Sequence, residues 1–298
     1  MINVETMTKS TPEEALGKLI QTVHKLRAPD GCPWDREQTH QTLRPYLIEE
    51  AYEVLDVLDR IESPKDLLDE TIRAAFREEL GDLLMQVLLH SEMASEEKAF
   101  HIGDVAHALN EKLIRRHPHV FGDVKVADAD SAYQSWEKQK AKEKVSKPNA
   151  SILDGVPKGL PALQRAARFI EKVTKVGFQW NDLNGPMDKL DEEMAELKTE
   201  IHTLETMRGG VATAEGAEAD QVRRRIENEL GDLLFSICNV AFLTKTLPED
   251  ALRGTLARFE SRFKHIERRL KEIGKNSEDS NLEEMDQFWN EAKKLEKS

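Results

Sequence analysis

The feature that most constrains this chain is a pair of carboxylate motifs that occurs twice in the same order. Glu49-Glu50-Ala51-Tyr52-Glu53 precedes Glu78-Glu79-Leu80-Gly81-Asp82, and Glu192-Glu193-Met194-Ala195-Glu196 precedes Glu229-Leu230-Gly231-Asp232. The flanks repeat as well. Gly31-Cys32-Pro33-Trp34-Asp35 answers Gly177-Phe178-Gln179-Trp180-Asn181, and Trp136 followed by Lys140 answers Trp289 followed by Lys293. Duplication with this order of parts predicts two similar domains, each about half of the 298 residues.

Helical geometry gives the motifs a chemical meaning. Residues three or four apart share a helix face, so Glu193 and Glu196 project together, and so do Glu229 and Asp232. Two such helices packed face to face converge four carboxylates. Without a partner that cluster repels itself, because neighbouring like charges resist joint ionisation. A hard divalent cation is the simplest remedy, and oxygen-only ligation favours magnesium or manganese over zinc. In a chain that is 33% charged, such spacings also arise by chance on solvated faces. Against that, Leu190, Met194 and Leu197 interleave the first pair, and Leu230, Leu233, Leu234 and Ile237 the second. Both pairs are therefore expected at the margin of a buried stripe, where unpaired charge is costly. Gly81 and Gly231 cost about 1 kcal/mol of helix propensity and read as points of close helix approach.

Composition excludes several classes. Many Ala, Leu, Glu and Lys with 6% aromatic residues favour helix over sheet. The formal charge of −13 argues against a general binder of nucleic acid or anionic membrane. Cys32 and Cys238 fall in different halves, which predicts no disulfide framework or zinc site and suits a reducing cytoplasm. No signal peptide is expected at Met1–Lys9, and the apolar run at 233–243 is too short to span a bilayer.

The chain reads as all-α. Thr11-Pro12-Glu13-Glu14 is a helix start with a capping box. The next helix carries Glu50 and Glu53 up to a Ser63-Pro64 stop, and a third runs from about Asp66 through the Leu83–Leu89 core run. Further helices are expected over 102–116, 132–144, 162–176, 187–206, 221–243, 248–273 and 281–294, the last opened by Asn281 with Glu284. The expected architecture is two helical bundles, 1–144 and 162–298, joined by a Pro/Gly-containing linker over 145–161. Met207–Asp220 has no counterpart of that length in the first half. Its Gly, Ala and Glu composition predicts a surface insertion unable to order itself.

Taken together, these residues resemble those of a tandem-repeat MazG-type nucleoside triphosphate pyrophosphohydrolase, an all-α family marked by Glu-Glu-x-x-Glu followed by Glu-x-x-Asp. The similarity covers nearly the whole chain. Cys32-Pro33-Trp34-Asp35, Arg115-Arg116-His117-Pro118-His119-Val120-Phe121 and Arg258-Phe259-Glu260-Ser261-Arg262-Phe263 share in it. The resemblance implies magnesium-dependent cleavage of a nucleoside triphosphate between its α and β phosphates, manganese being a substitute, and a homodimer. It places metal ligands on Glu193, Glu196, Glu229 and Asp232, and nucleotide contacts on Lys189, Arg258, Arg262, Trp289 and Lys293. Arg225, one turn before Glu229, is a further candidate contact. Glu192, adjacent to the ligands but not counted among them, is a candidate base or an orienter of the ligands. Glu50, Glu53, Glu79 and Asp82 form a candidate second metal site.

Elementary electrostatics agrees with a basic set, since a triphosphate brings about four negative charges that one cation neutralises only in part. Two other classes stay open. A di-iron bundle needs Glu-x-x-His on two core helices, and the only such spacing here is Glu37 to His40, beside a turn. A non-catalytic magnesium-nucleotide sensor or scaffold needs the same carboxylates without turnover. The repeats are expected to be unequal, with the second hydrolytic, because Tyr46 stands where the second has Lys189, although Lys112 and Arg116 match Arg258 and Arg262.

Overall fold

The structure, a computed structural model, describes residues 10–143, 151–207 and 216–296. Among them are twelve α-helices and no strand, as an all-α reading requires. The chain divides into two compact units, Met1–Pro148 and Asn149–Ser298.

In the first unit, α1 (Pro12–Arg27) starts as its capping box dictates: Thr11 accepts from the Glu14 amide and Glu14 reaches back to the Thr11 amide. Then come α2 (Pro33–Glu37), α3 (Arg44–Leu58), α4 (Glu70–Glu96), α5 (Ile102–Arg116), α6 (Pro118–Phe121) and α7 (Ala129–Lys142). Val23 of α1 and Leu88, Leu89 and Met93 of α4 bury against Leu43 to form the core. Arg27, buried at the end of α1, ties these pieces together. Its Nε lies 2.6 Å from Glu96 Oε1, and its Nη1 donates to the carbonyls of Asp35 and Gln38. One guanidinium thus ties α1 and α2 to the C-terminal turn of α4, one of the two carboxylate helices.

The second unit holds α8 (Ala162–Thr174), α9 (Asn184–Thr206), α10 (Ala217–Leu243), α11 (Pro248–Glu272) and α12 (Leu282–Leu295). Leu204 near the end of α9 packs on Ala219 and Val222 near the start of α10, so this pair is an antiparallel hairpin. Trp180 lies across the first turn of α9, so close to Gly185 that an added Cβ would fall 2.0 Å from its ring. Its counterpart Trp34 meets Tyr46 of α3 edge-on at 6.2 Å. The duplicated tryptophan thus packs at the start of the first carboxylate helix in each unit. Asn281 caps α12 by accepting from the Glu284 amide.

Several local expectations change. The helix expected to reach Ser63 ends at Leu58, because Asp66 accepts from the amides of Glu62 and Ser63 and holds that turn outside the helix. The short α2 and α6 each open on a proline after a break and lack the length for a periodic signal. Residues 208–215 of the expected insertion lie outside the described residues. Ala217–Asp220, by contrast, is the first turn of α10, ordered by burial of Ala219. Residues 145–150 of the expected linker also lie outside the described residues. The next stretch is docked on α8, where Lys172 Nζ donates to the carbonyls of Ile152 at 2.9 Å and Asp154 at 2.8 Å.

The two motif glycines also differ from expectation. A Cβ at Gly81 or Gly231 would meet nothing within 4 Å, so neither position serves close helix approach within its unit. Only backbone entropy then separates Gly from Ala there. Gly81→Ala and Gly231→Ala are each expected to raise unfolding stability by about 0.5–1 kcal/mol in urea titrations. A loss of stability would mean that these positions are crowded in the folded protein.

Candidate active site

The hairpin geometry of α9 and α10 brings the motif carboxylates together. Oxygens of Glu193, Glu229 and Asp232 lie within 4.8 Å of one another. Glu196 adjoins them. Burial, and then the neighbouring Glu196, Glu193 and Asp232, push the Glu229 carboxyl above its ordinary pKa. Glu193 is buried with 4% of its surface exposed, and Lys189 compensates it: Nζ lies 2.7 Å from Glu193 Oε1 and 2.9 Å from Glu192 Oε1. Those two carboxylates, Glu193 first, raise the Lys189 ammonium above its usual pKa and keep it charged. The exposed Glu192 stands beside the cluster rather than within it.

The first unit builds a related cluster with a different trio, Glu53 taking part where the second unit has Asp232. Glu50, Glu53 and Glu79 of α3 and α4 offer oxygens within 4.8 Å of one another. Burial raises Glu50 and Glu79 first, and the charges of Glu53 and Asp82 add to it in both. What is missing is the lysine. Tyr46 occupies that position, and among the described residues no Lys or Arg pairs with Glu50, Glu53, Glu79 or Asp82.

The basic residues form a second group. Arg262 of α11 makes a bidentate pair with Glu296, its Nη2 lying 2.6 Å from Oε2, and its guanidinium sits 5.2 Å from the centroid of the Trp289 ring. Trp289 also meets Phe259 at 5.3 Å. Arg262 hydrogen bonds hold Glu296 below the usual carboxylate range, and the charges of Arg258 and Lys293 add to this, so three expected nucleotide contacts surround one acid. Arg258 also donates to Thr255 at 3.0 Å. In the first unit Arg116 pairs with Glu143 at 2.5 Å and lies 5.4 Å from the Trp136 centroid. Glu143 and Glu296 were not anticipated, although each lies seven residues after its tryptophan, which is a readable repeat. Arg225 turns elsewhere. Its Nε pairs with Glu200 at 2.9 Å, one turn beyond the cluster, and braces α10 against α9. The described contacts of Arg258, Arg262, Trp289 and Lys293 are thus among α11, α12 and the residue that follows α12, while those of Lys189 are with the carboxylates of α9.

Comparison with known proteins gives a consistent picture. A family model described as the MazG nucleotide pyrophosphohydrolase domain matches residues 38–121. The chain is 41% identical over 276 residues to a nucleoside triphosphate pyrophosphohydrolase/pyrophosphatase of Thermotoga maritima, covering 93% of this chain and 94% of the relative. It is 38% identical over 282 residues to a nucleoside triphosphate pyrophosphohydrolase of Escherichia coli K12, covering 94% and 98%. A Mycolicibacterium smegmatis protein of the same name is 40% identical over 169 residues, 56% of this chain and 48% of that one.

Two titration outcomes follow from this electrostatics. Glu229 has a raised native pKa, so its stabilising contribution is complete below the ordinary carboxylate pKa and is lost as pH rises through the raised value. In chelator at pH 7.5, Glu229→Gln should therefore melt at a higher temperature than the unaltered protein, and a lower one would contradict like-charge crowding. Glu143 behaves oppositely. Hydrogen bonds from Arg116 and then Arg115 depress it to about 2, so its contribution is present above the ordinary carboxylate pKa and is lost as pH falls towards 2. Glu143→Gln should flatten the acid limb of the melting profile below pH 4.5. An unchanged limb would mean that the pair contributes nothing to stability.

Proposed function

The chain belongs to the MazG family of nucleotide pyrophosphohydrolases, and we propose that it hydrolyses nucleoside triphosphates between the α and β phosphates, releasing the monophosphate and pyrophosphate. The observation that carries this reading is the convergence of the buried Glu193, the half-buried Glu229 and the exposed Asp232 from two helices beside a single lysine in the second unit. Their mutual crowding fits a divalent cation, and hard oxygen donors suit magnesium, with manganese as a substitute. Glu193, Glu196, Glu229 and Asp232 would hold it. Bound there, such an ion supplies neutralisation of phosphate charge and Lewis acidity.

The chain's own residues do the rest. Lys189 stays protonated and holds the Glu193 and Glu192 carboxylates, leaving one donor to turn towards a phosphate. Glu192, exposed at the rim, would take a proton from water as its oxygen attacks the α phosphorus. The bond from that phosphorus to the bridging oxygen then breaks, and pyrophosphate leaves. Arg258, Arg262 and Lys293 would donate to phosphate oxygens, with phosphate replacing Glu296 at the Arg262 fork, and Trp289 would stack on the base. Arg225 braces the hairpin through Glu200, and with 47% of its side chain exposed it stays a candidate contact.

The first unit favours the other reading, that of a magnesium-nucleotide sensor or scaffold, because Tyr46 replaces the lysine. The chain is further read as two tandem MazG-like bundles, 1–144 and 162–298, and as a homodimer. Leu230, Leu234 and Ile237 share a face of α10 yet remain 45%, 48% and 41% exposed, and Leu80, Leu84 and Val87 repeat that spacing on α4. A second copy of the chain would cover them. Among the described residues no single helix is long and apolar enough to cross a membrane. The acidic balance is the ground for reading the protein as cytoplasmic and without a nucleic-acid or anionic-membrane partner.

Phosphorus NMR tests the reaction. Monophosphate and pyrophosphate should appear together, only with magnesium or manganese present. Diphosphate appearing first, or full turnover in excess EDTA, would overturn it. Mutagenesis tests the division of labour. Glu196→Gln and Asp232→Asn, checked by circular dichroism to be folded, should lower kcat by about a hundredfold or more, while Glu53→Gln and Asp82→Asn leave most activity. A larger loss from the first-unit pair would reverse the assignment.

A further inference from the structure

The first unit's cluster has a feature that its twin lacks. Gln86, one helical turn after Asp82 on α4, is buried with 2% of its surface exposed, and its side chain points into the carboxylates: Nε2 donates to Glu50 Oε1 at 3.5 Å. Its other carboxamide atom, Oε1, is buried without any hydrogen-bond partner. A buried acceptor in that condition is costly and calls for a donor or a cation. The neighbouring acids supply neither while ionised, since a carboxylate only accepts. The equivalent residue on α10 is Ser236, whose short hydroxyl brings no carboxamide.

We propose that Gln86 is a neutral oxygen ligand in a divalent-cation site of the first unit, which makes that site chemically different from the one in the second. This rests on the reading that the carboxylate clusters take divalent cations. The local chemistry allows the side chain to serve in two orientations, of which the structure holds the first. With the carboxylates alone, the amide nitrogen faces Glu50 and donates. When a cation sits among Glu50, Glu53 and Glu79, a half-turn of the carboxamide presents oxygen in place of nitrogen, and a hard cation accepts carboxamide oxygen as readily as carboxylate. In the second unit Lys189, which stands where the first has Tyr46, is a fixed positive charge that competes with a cation for Glu193. The first unit, with Tyr46 and Gln86, has no such competitor. Its site is therefore suited to keeping a cation in the absence of nucleotide, whereas the second is suited to taking one up together with a polyphosphate.

Manganese titration of the full chain, followed through the EPR signal of the free ion, tests this. In a parent carrying Glu196→Gln and Asp232→Asn, which silences the second cluster, one manganese should bind per chain, and Glu53→Gln should nearly abolish it. Gln86→Met, equal in length but without the oxygen, should weaken binding roughly tenfold or more. Gln86→Glu should bind at least as tightly as the parent, which a merely structural glutamine would not allow. Unchanged affinity in Gln86→Met, or weaker binding in Gln86→Glu, would remove Gln86 from the ligand set while Glu53→Gln still upholds the carboxylate site. No uptake by the parent, with one manganese bound by the unaltered chain, would overturn the first-unit site and leave the second-unit reading intact.

Discussion

Mutual repulsion among carboxylates on paired helices is the constraint on which the rest of each unit depends. Helices carrying like charges on facing surfaces would slide or separate unless other contacts fixed their register. In the second unit the far end of the α9–α10 hairpin is closed by Leu204 against Ala219 and Val222, with the Arg225–Glu200 pair between that apolar clasp and the acids. In the first, Arg27 and the Val23–Leu88–Met93 core do the equivalent work from outside the pair. The packing is arranged so that the acids stay close, and Glu229, Glu50 and Glu79 are held where burial and neighbouring acids raise their pKa, an environment that an added positive charge would relieve.

The two units apply one plan with different counter-charges. Lys189 gives the second cluster a permanent cation at its edge, while Tyr46 leaves the first without one and places an aromatic ring against Trp34 instead. Duplication followed by such substitutions is an economical route to two sites of unlike affinity in one chain. The Arg–Trp–Glu arrangement, by contrast, is kept in both: Arg116 with Trp136 and Glu143, Arg262 with Trp289 and Glu296. Each glutamate lends its arginine a carboxylate that is exchangeable in principle for the oxygens of a phosphate.

Much of the fold was legible because its signals are local. The Thr11 capping box, the Asn281 cap and the helical spacing of the motifs depend on residues within one turn, and the internal repeat located the rest. What escaped depends on tertiary partners. Short helices such as α2 and α6 have too few residues to show a period. Gly81 and Gly231 sat in helices facing open space, which helix propensity does not register. Leu230, Leu234 and Ile237 read as core by hydropathy yet lie exposed, since burial is decided by what packs opposite. In the site, the carboxylate convergence was readable from spacing. Arg225 was placed by sequence beside the cluster, but its side chain is taken by Glu200, and no pattern in α10 alone predicts that.

The most direct test of the central claim is anomalous diffraction from crystals grown with manganese and a triphosphate whose α–β bridging oxygen is replaced by methylene. The account predicts manganese density bounded by Glu193, Glu196, Glu229 and Asp232, with the phosphates of the analogue beside Lys189. Manganese bound elsewhere, with those four carboxylates free of it while the analogue is in place, would contradict the account.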